Sequence, residues 1–139
     1  MATPVTPDVL PHMDAVKAAL EAAGLTVYLG GVPTASGWTA PDKYAVLYPD
    51  PGRAVRDSLA DERASLDTTM QITCVGGDVE RALWVAGRVR RALAAPLTVA
   101  GRICWPPEDL GGPPVQRDDD VSPPVYFVPV QYRICSSPA

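Results

Sequence analysis

The segment QRDDDVSPP, residues 116 to 124, sets three carboxylates in a row among prolines. Carboxylates held together can ligate a hard cation or share acid and base work. A calcium-like ion needs roughly six to eight oxygens at fixed distances. Asp118, Asp119 and Asp120 are consecutive and point one way only if the backbone turns sharply, and the segment has neither the Gly nor the distal Glu of a calcium-binding loop. A turn is the favoured reading over a metal site. The sole histidine, His12, lies in a helical pattern beside an apolar stripe with no Cys or second His near it. Ser36, Ser58, Ser65, Ser122, Ser136 and Ser137 have no histidine at suggestive spacing, so a triad would have to recruit His12 from the far end of the chain. Cys74, Cys104 and Cys135 lie in strand-like stretches without a CxxC pair, the pattern of small buried hydrophobes in a reducing compartment. Three Gly-Gly pairs follow neither phosphate-binding pattern, and Asp78 after CVGG would oppose an anion at the helix start. The expectation is a non-catalytic chain with no metal and no cofactor.

The elements that must carry these residues fit one domain spanning 1–139. The chain has 139 residues, 47% of them apolar, enough for one cooperative core. Formal charge is -4, and the arginines form no sustained patch, which argues against a grip on the nucleic-acid backbone. RVRR at 88 to 91 is the densest basic spot and reads as the wet side of a helix. There is no stretch approaching a membrane span and no secretory leader pattern, so a protein soluble in the cytoplasm when made is expected.

Asp8 can cap a first helix, ended by Gly24, with Met13, Val16, Leu20 and Ala23 as its stripe. LTVYLG is a short strand, followed by a Gly/Pro/Ser loop in which Trp38 reads as a cover for the core. KYAVLYP is the second strand. Residues 49–65 read as an exposed loop insertion, too charged to bury much. LDTTMQITCVG alternates cleanly, with Leu66, Thr68, Met70, Ile72 and Cys74 on one face. Asp78 caps a second helix whose apolar band is Val79, Leu83, Val85, Ala86, Val89 and Leu93, and Gly87 within it reads as a close approach to the sheet. LTVAGRICW and VYFVPVQYRIC are the last strands, and Pro129 suggests an edge or bulge. The fold class is α+β: a mainly antiparallel sheet packed by two helices, with a long hairpin insertion.

This organisation resembles the tail terminator proteins of long-tailed bacteriophages, also called tail completion, minor tail or head-tail joining proteins. The resemblance runs over roughly residues 40 to 135 and rests on YAVLYP, the long insertion, TTMQITCVGGDVERALWVAGRVRRAL, LTVAGR and GGPPVQRDDDVSPPVYFVPVQYRI. It implies a structural virion protein at the tail-neck junction that forms a homohexameric ring. Such a ring ends tail tube polymerisation and offers a docking surface to the head connector or neck protein, with DNA only as passing cargo. Candidate subunit or docking contacts are Arg53, Arg56, Asp57, Asp61, Glu62 and Arg63 in the insertion, Arg88 and Arg91 on the second helix, and Arg117, Asp118, Asp119 and Asp120 in the turn. The carboxylates would cap the turn or pair across a subunit border, with Arg117 and the RVRR of a neighbour as partners. Alternatives are a neck or head-closure protein of the same particle, or a small soluble enzyme or ligand-binding domain.

Overall fold

The computed structural model describes residues 6–56 and 63–139. Helix α1 spans Val9–Ala22 and helix α2 spans Val79–Ala92. The strands are β1 (Val27–Leu29), β2 (Lys43–Pro49), β3 (Arg53–Val55), β4 (Ser65–Gly76), β5 (Arg102–Cys104), β6 (Glu108–Gly111), β7 (Gln116–Asp118) and β8 (Val125–Pro138). Both expected caps are present: the Asp8 carboxylate accepts from Leu10 N at 3.1 Å and that of Asp78 from Arg81 N at 2.8 Å. Helix α1 closes where Gly24 takes φ +89°. There Leu25 N donates back to Leu20 O and Gly24 N to Glu21 O, which satisfies carbonyls that the helix end would orphan.

The register resolves the strands into five ribbons. β4 and β8 form the spine, antiparallel from Leu66↔Ser136 to Gly76↔Tyr126. β2 and β3 lie in line along one edge of β4, from Lys43↔Gly76 to Pro49↔Met70 and then from Arg53↔Asp67 to Val55↔Ser65. Asp50, Pro51 and Gly52 thus stand opposite only Thr68 and Thr69, a bulge that the Asp50 carboxylate organises by accepting from Gly52 N, Thr68 Oγ1 and Thr69 N. β5, β6 and β7 follow one another along the other edge of β8 as a single broken ribbon. β1 flanks β2 in parallel, reached through residues 30–42. The sheet is open, mixed and mostly antiparallel, with β1 and the broken ribbon as its edges.

Both helices cover one face. Val16, Leu20, Val85, Val89 and Leu93 pack on Ala45, Leu47, Met70, Ile72, Cys74, Val128, Val130, Tyr132 and Ile134. Each fully buried aliphatic side chain of this set stabilises the fold by about 1.5–3 kcal/mol. On the opposite face, Tyr44, Val46 and Val75 make a smaller cluster with Tyr28, Val125 and Phe127.

Several expectations are corrected. Val79 and Leu83 face outward, 45% and 53% exposed, and Ala82 takes their place in the buried band. Gly87 has open space where a Cβ would stand. The close approach belongs to Gly76, where a Cβ would lie 2.5 Å from Ala82 N. Part of the 49–65 insertion is strand β3; its tip, with Asp57, Asp61 and Glu62, lies outside the described residues. LTVAGRICW is strand only at Arg102–Cys104, while β8 runs on to Pro138. Pro129 lies in an interior strand opposite Thr73, at the level where the other neighbouring ribbon is interrupted between β6 and β7. Its carbonyl is turned toward Gly112 in that interruption, so the missing N–H falls where no ladder bond is asked of it.

Candidate functional site

The carboxylates of QRDDDVSPP sit at the end of the broken ribbon. Asp118 is the last residue of β7, opposite Val125, and its Oδ1 accepts from Asp120 N at 2.9 Å, closing an Asx turn. Asp119 pairs with Arg117 across exposed surface, and Asp120 and Val121 point to solvent. Among the described residues no three His, Cys, Asp or Glu side chains come together to hold a metal. Counting Arg117, the turn keeps a formal charge of 1 - 3 = -2.

The RVRR segment divides. Val89 is buried, and Arg90 reaches Asp109 of β6 with Nε at 3.1 Å. Arg88 lies with its guanidinium carbon 4.6 Å from the centre of the Trp84 ring, and Lys43 Nζ from β2 stands 4.0 Å from the same ring. Arg88 Nε is shielded from solvent and has no hydrogen-bond acceptor among the described residues. Among the described residues neither Lys43, Arg88 nor Arg91 has a carboxylate partner. Cations over an indole ring are held there by its quadrupole, and Asp78, Glu80 and Arg81 line the same hollow as Lys43 and Trp84. The sequence names Arg88 and Arg91 as contact candidates but misses Lys43 and Trp84, because cross-element stacking leaves no spacing signal.

The third cluster is at the base of the insertion. Asp67 of β4 accepts from Arg133 Nε at 2.9 Å and from Arg53 Nη2 at 3.0 Å, and Arg133 also faces Glu108 at 3.8 Å. The Arg133 hydrogen bond, helped by Arg53 and opposed by burial, holds the Asp67 carboxyl down at about 2. Arg53, a contact candidate in the sequence, thus ties β3 to β4, whereas Arg56 and Arg63 stay exposed beside the tip. A groove of about 370 Å³ opens next to this hub, walled by Val55, Leu66, Trp105 and Pro106 with Glu108 and Cys135 at its rim. Burial and the nearby Asp67 push the Cys135 thiol up, so it makes a poor nucleophile. Burial pushes the Cys74 thiol up to about 12.

His12 does meet a serine. Its Nδ1 is 2.8 Å from Asp8 O and its Nε2 is 2.7 Å from Ser136 Oγ. A carbonyl only accepts, so Nδ1 carries the proton and Nε2 accepts from the serine hydroxyl. Ser136 Oγ in turn accepts from Arg102 Nε at 3.1 Å, and Arg102 also grips Ser136 O and Ala64 O. His12 and Ser136 are 1% and 0% exposed, so no substrate reaches the pair. It is a strut from α1 to β8, and burial lowers the His12 pKa. His12 therefore belongs to the apolar stripe of α1 and not beside it. Trp38 meets Tyr28 and Tyr44 edge to face at 5.8 and 6.4 Å, covering the helix-free side of the sheet.

No protein-family model and no curated protein matches this chain. Among solved structures, the chain is similar to a chain from the virion of a native gene transfer agent particle. The two align with TM-score 0.64 and 18% identity, over 90% of this chain and 93% of that one. A second solved chain, whose name describes no activity, aligns with TM-score 0.53 and 18% identity, over 89% of this chain and 94% of that one. At such identities the likeness is one of fold, and it extends over nearly the whole of each chain.

Proposed function

We propose that this chain is a non-enzymatic structural protein of a virus-like particle. In this reading it forms a ring, most simply a homohexamer, that caps the tail tube, ends its polymerisation and presents a docking surface to the head connector. The observation that carries the reading is the end-to-end match to a virion chain of a gene transfer agent, together with the tail-terminator resemblance of the sequence. The surface supports it. Ile103, Trp105 and Leu110 stand 57%, 51% and 47% exposed along the broken edge ribbon, and Val79, Leu83 and Trp84 project from α2. Apolar side chains grouped in this way mark contact surfaces. A small domain with different patches on different sides suits a rotational, closing interface. DNA would be passing cargo, in keeping with a net charge of -4.

The test is particle assembly with the chain withheld. Tubes should then overrun their set length and fail to join heads, and adding the purified protein should restore both. Tubes of normal length that fail only to retain DNA would instead place the chain at the neck as a head-closure protein.

A further inference from the structure

We propose that His12 is a proton-operated latch: neutral, it pins the first turn of α1 over the base of the insertion, and on taking up a second ring proton it releases that turn, loosening both limbs of the insertion while the core stays folded. The device belongs to the single subunit and stands apart from the tail assignment.

Three elements meet at one hydroxyl. Ser136 Oγ of β8 donates to His12 Nε2 at 2.7 Å and accepts from Arg102 Nε of β5 at 3.1 Å. The same guanidinium holds Ser136 O at 3.0 Å and, on the returning limb of the insertion, Ala64 O at 2.8 Å. The outgoing limb is held by the same turn of helix. Val9 seats at the bulge, where a Cβ on Gly52 would stand 2.9 Å from Val9 Cγ2. The first turn of α1 therefore reaches both limbs, directly at Gly52 and through Ser136 and Arg102 at Ala64.

Neutral His12 satisfies this chain of bonds. Nδ1–H donates to Asp8 O at 2.8 Å, which leaves Nε2 as the acceptor. A proton on Nε2 turns that acceptor into a donor. Ser136 Oγ would then face two cationic donors, and its own hydrogen would lose its acceptor at a position sealed from water. Among the described residues, the charged groups that act on His12 are Arg102 from β5, which opposes the proton, and Asp8 at the start of its own helix, which favours it but is engaged by Leu10 N; α1 beyond its cap, α2, β1, β2 and β8 send it none. The Asp50 carboxylate at the bulge is taken up by Gly52 N, Thr68 Oγ1 and Thr69 N. Release falls on the first turn, because Val16 and Leu20 anchor the rest of α1 in the core while Val9 is only half-buried at its open end. An open latch exposes His12 at its ordinary pKa of about 6.5, so the opening equilibrium should rise up to about tenfold for each pH unit below that value, until the closed form also takes the proton.

The experiment is native-state hydrogen exchange of the purified wild-type chain from about pH 7.5 to about pH 5, corrected for intrinsic rates, with His12→Gln beside it. Residues 12–14, 52–55 and 64–66 should share one opening that grows about tenfold per pH unit below about 6.5, while Ile72 and Val130 open far less often at each pH. His12→Gln keeps a polar side chain but takes up no proton, and it should flatten that dependence. Three segments that open only together with Ile72 and Val130, a pH dependence absent from the wild type, or one retained in His12→Gln each overturn the proposal. Where His12→Gln does not fold, nuclear magnetic resonance of the wild type decides: Gly52 and Ala64 amide signals that titrate with the His12 ring sustain the latch, and signals that ignore the ring overturn it.

Discussion

At the scale of single residues, one buried and one partly buried polar node bind distant parts of the chain and predict opposite ends of its acid response. Neutral His12 joins α1 to β8, with its pKa held below the ordinary 6.5 by burial first and by Arg102 second. A base with a depressed folded pKa contributes stability above its unfolded value, and that contribution fades as pH falls below about 6.5, where the unfolded chain takes up the proton. The urea midpoint should therefore drop between pH 7 and 5. His12→Gln should abolish that slope and cost about 1–3 kcal/mol at pH 7.5. An unchanged slope in His12→Gln would show that another group governs it. Asp67 works lower on the scale. Its folded pKa near 2 against an ordinary 3.8 means stability is present above about pH 4 and lost as pH falls toward 2. With its side chain only 11% exposed, the carboxylate contributes about 2 kcal/mol at neutral pH. Asp67→Asn should lose about that amount, and the stability of the variant should be nearly flat from pH 4 to 2.

At the scale of elements, the two glycines that flank and interrupt α2 should respond in opposite senses. Gly76→Ala drives a Cβ into the backbone of the first turn of α2 at 2.5 Å, and a cost of roughly 2–4 kcal/mol is expected from the forced separation of β4 and α2. Gly87→Ala meets nothing within 4 Å and should stabilise the helix by about 0.5–1 kcal/mol. Thermal melts of the two variants test the pair together. The same comparison shows where sequence pattern is informative. Asp8, Asp78, the Lys43–Pro49 strand and the alternation from Leu66 to Cys74 were legible, because caps and period-two faces are local. Val79 and Leu83 misled because they are apolar at helical spacing yet face away from the sheet, so the orientation of the band was set by Ala82 packing under Gly76. β3, β6 and β7 are each three or four residues long and exist only because β4 and β8 offer long ladders to pair with. No local pattern encodes such strands. In the candidate site, Arg88 and the acid triplet were visible as charge, whereas Lys43 and Trp84 join only across β2 and α2.

At the scale of the whole molecule, one face of an open sheet is sealed by helices. The remaining surface offers an acidic turn, a cation-flanked tryptophan, an apolar edge ribbon and an insertion tied down at its base by Arg53, Asp67 and Arg133. Among the described residues no three metal-ligating side chains come together, and the Ser136–His12 pair is sealed from solvent. In the ring proposed above the copies would join to each other on their flanks and to a tube on one end, so the edges and α2 should be covered in the particle while the core stays as it is in the free subunit. Rigid-body docking of this subunit is a fair expectation for a contact built on strands and a helix. The most direct test is electron cryomicroscopy of tail tubes grown with their length-determining protein in the presence of this chain. The account predicts one closed ring of this fold at a single tube end. Tubes with bare ends, or density for the chain repeated along the tube wall, would contradict it.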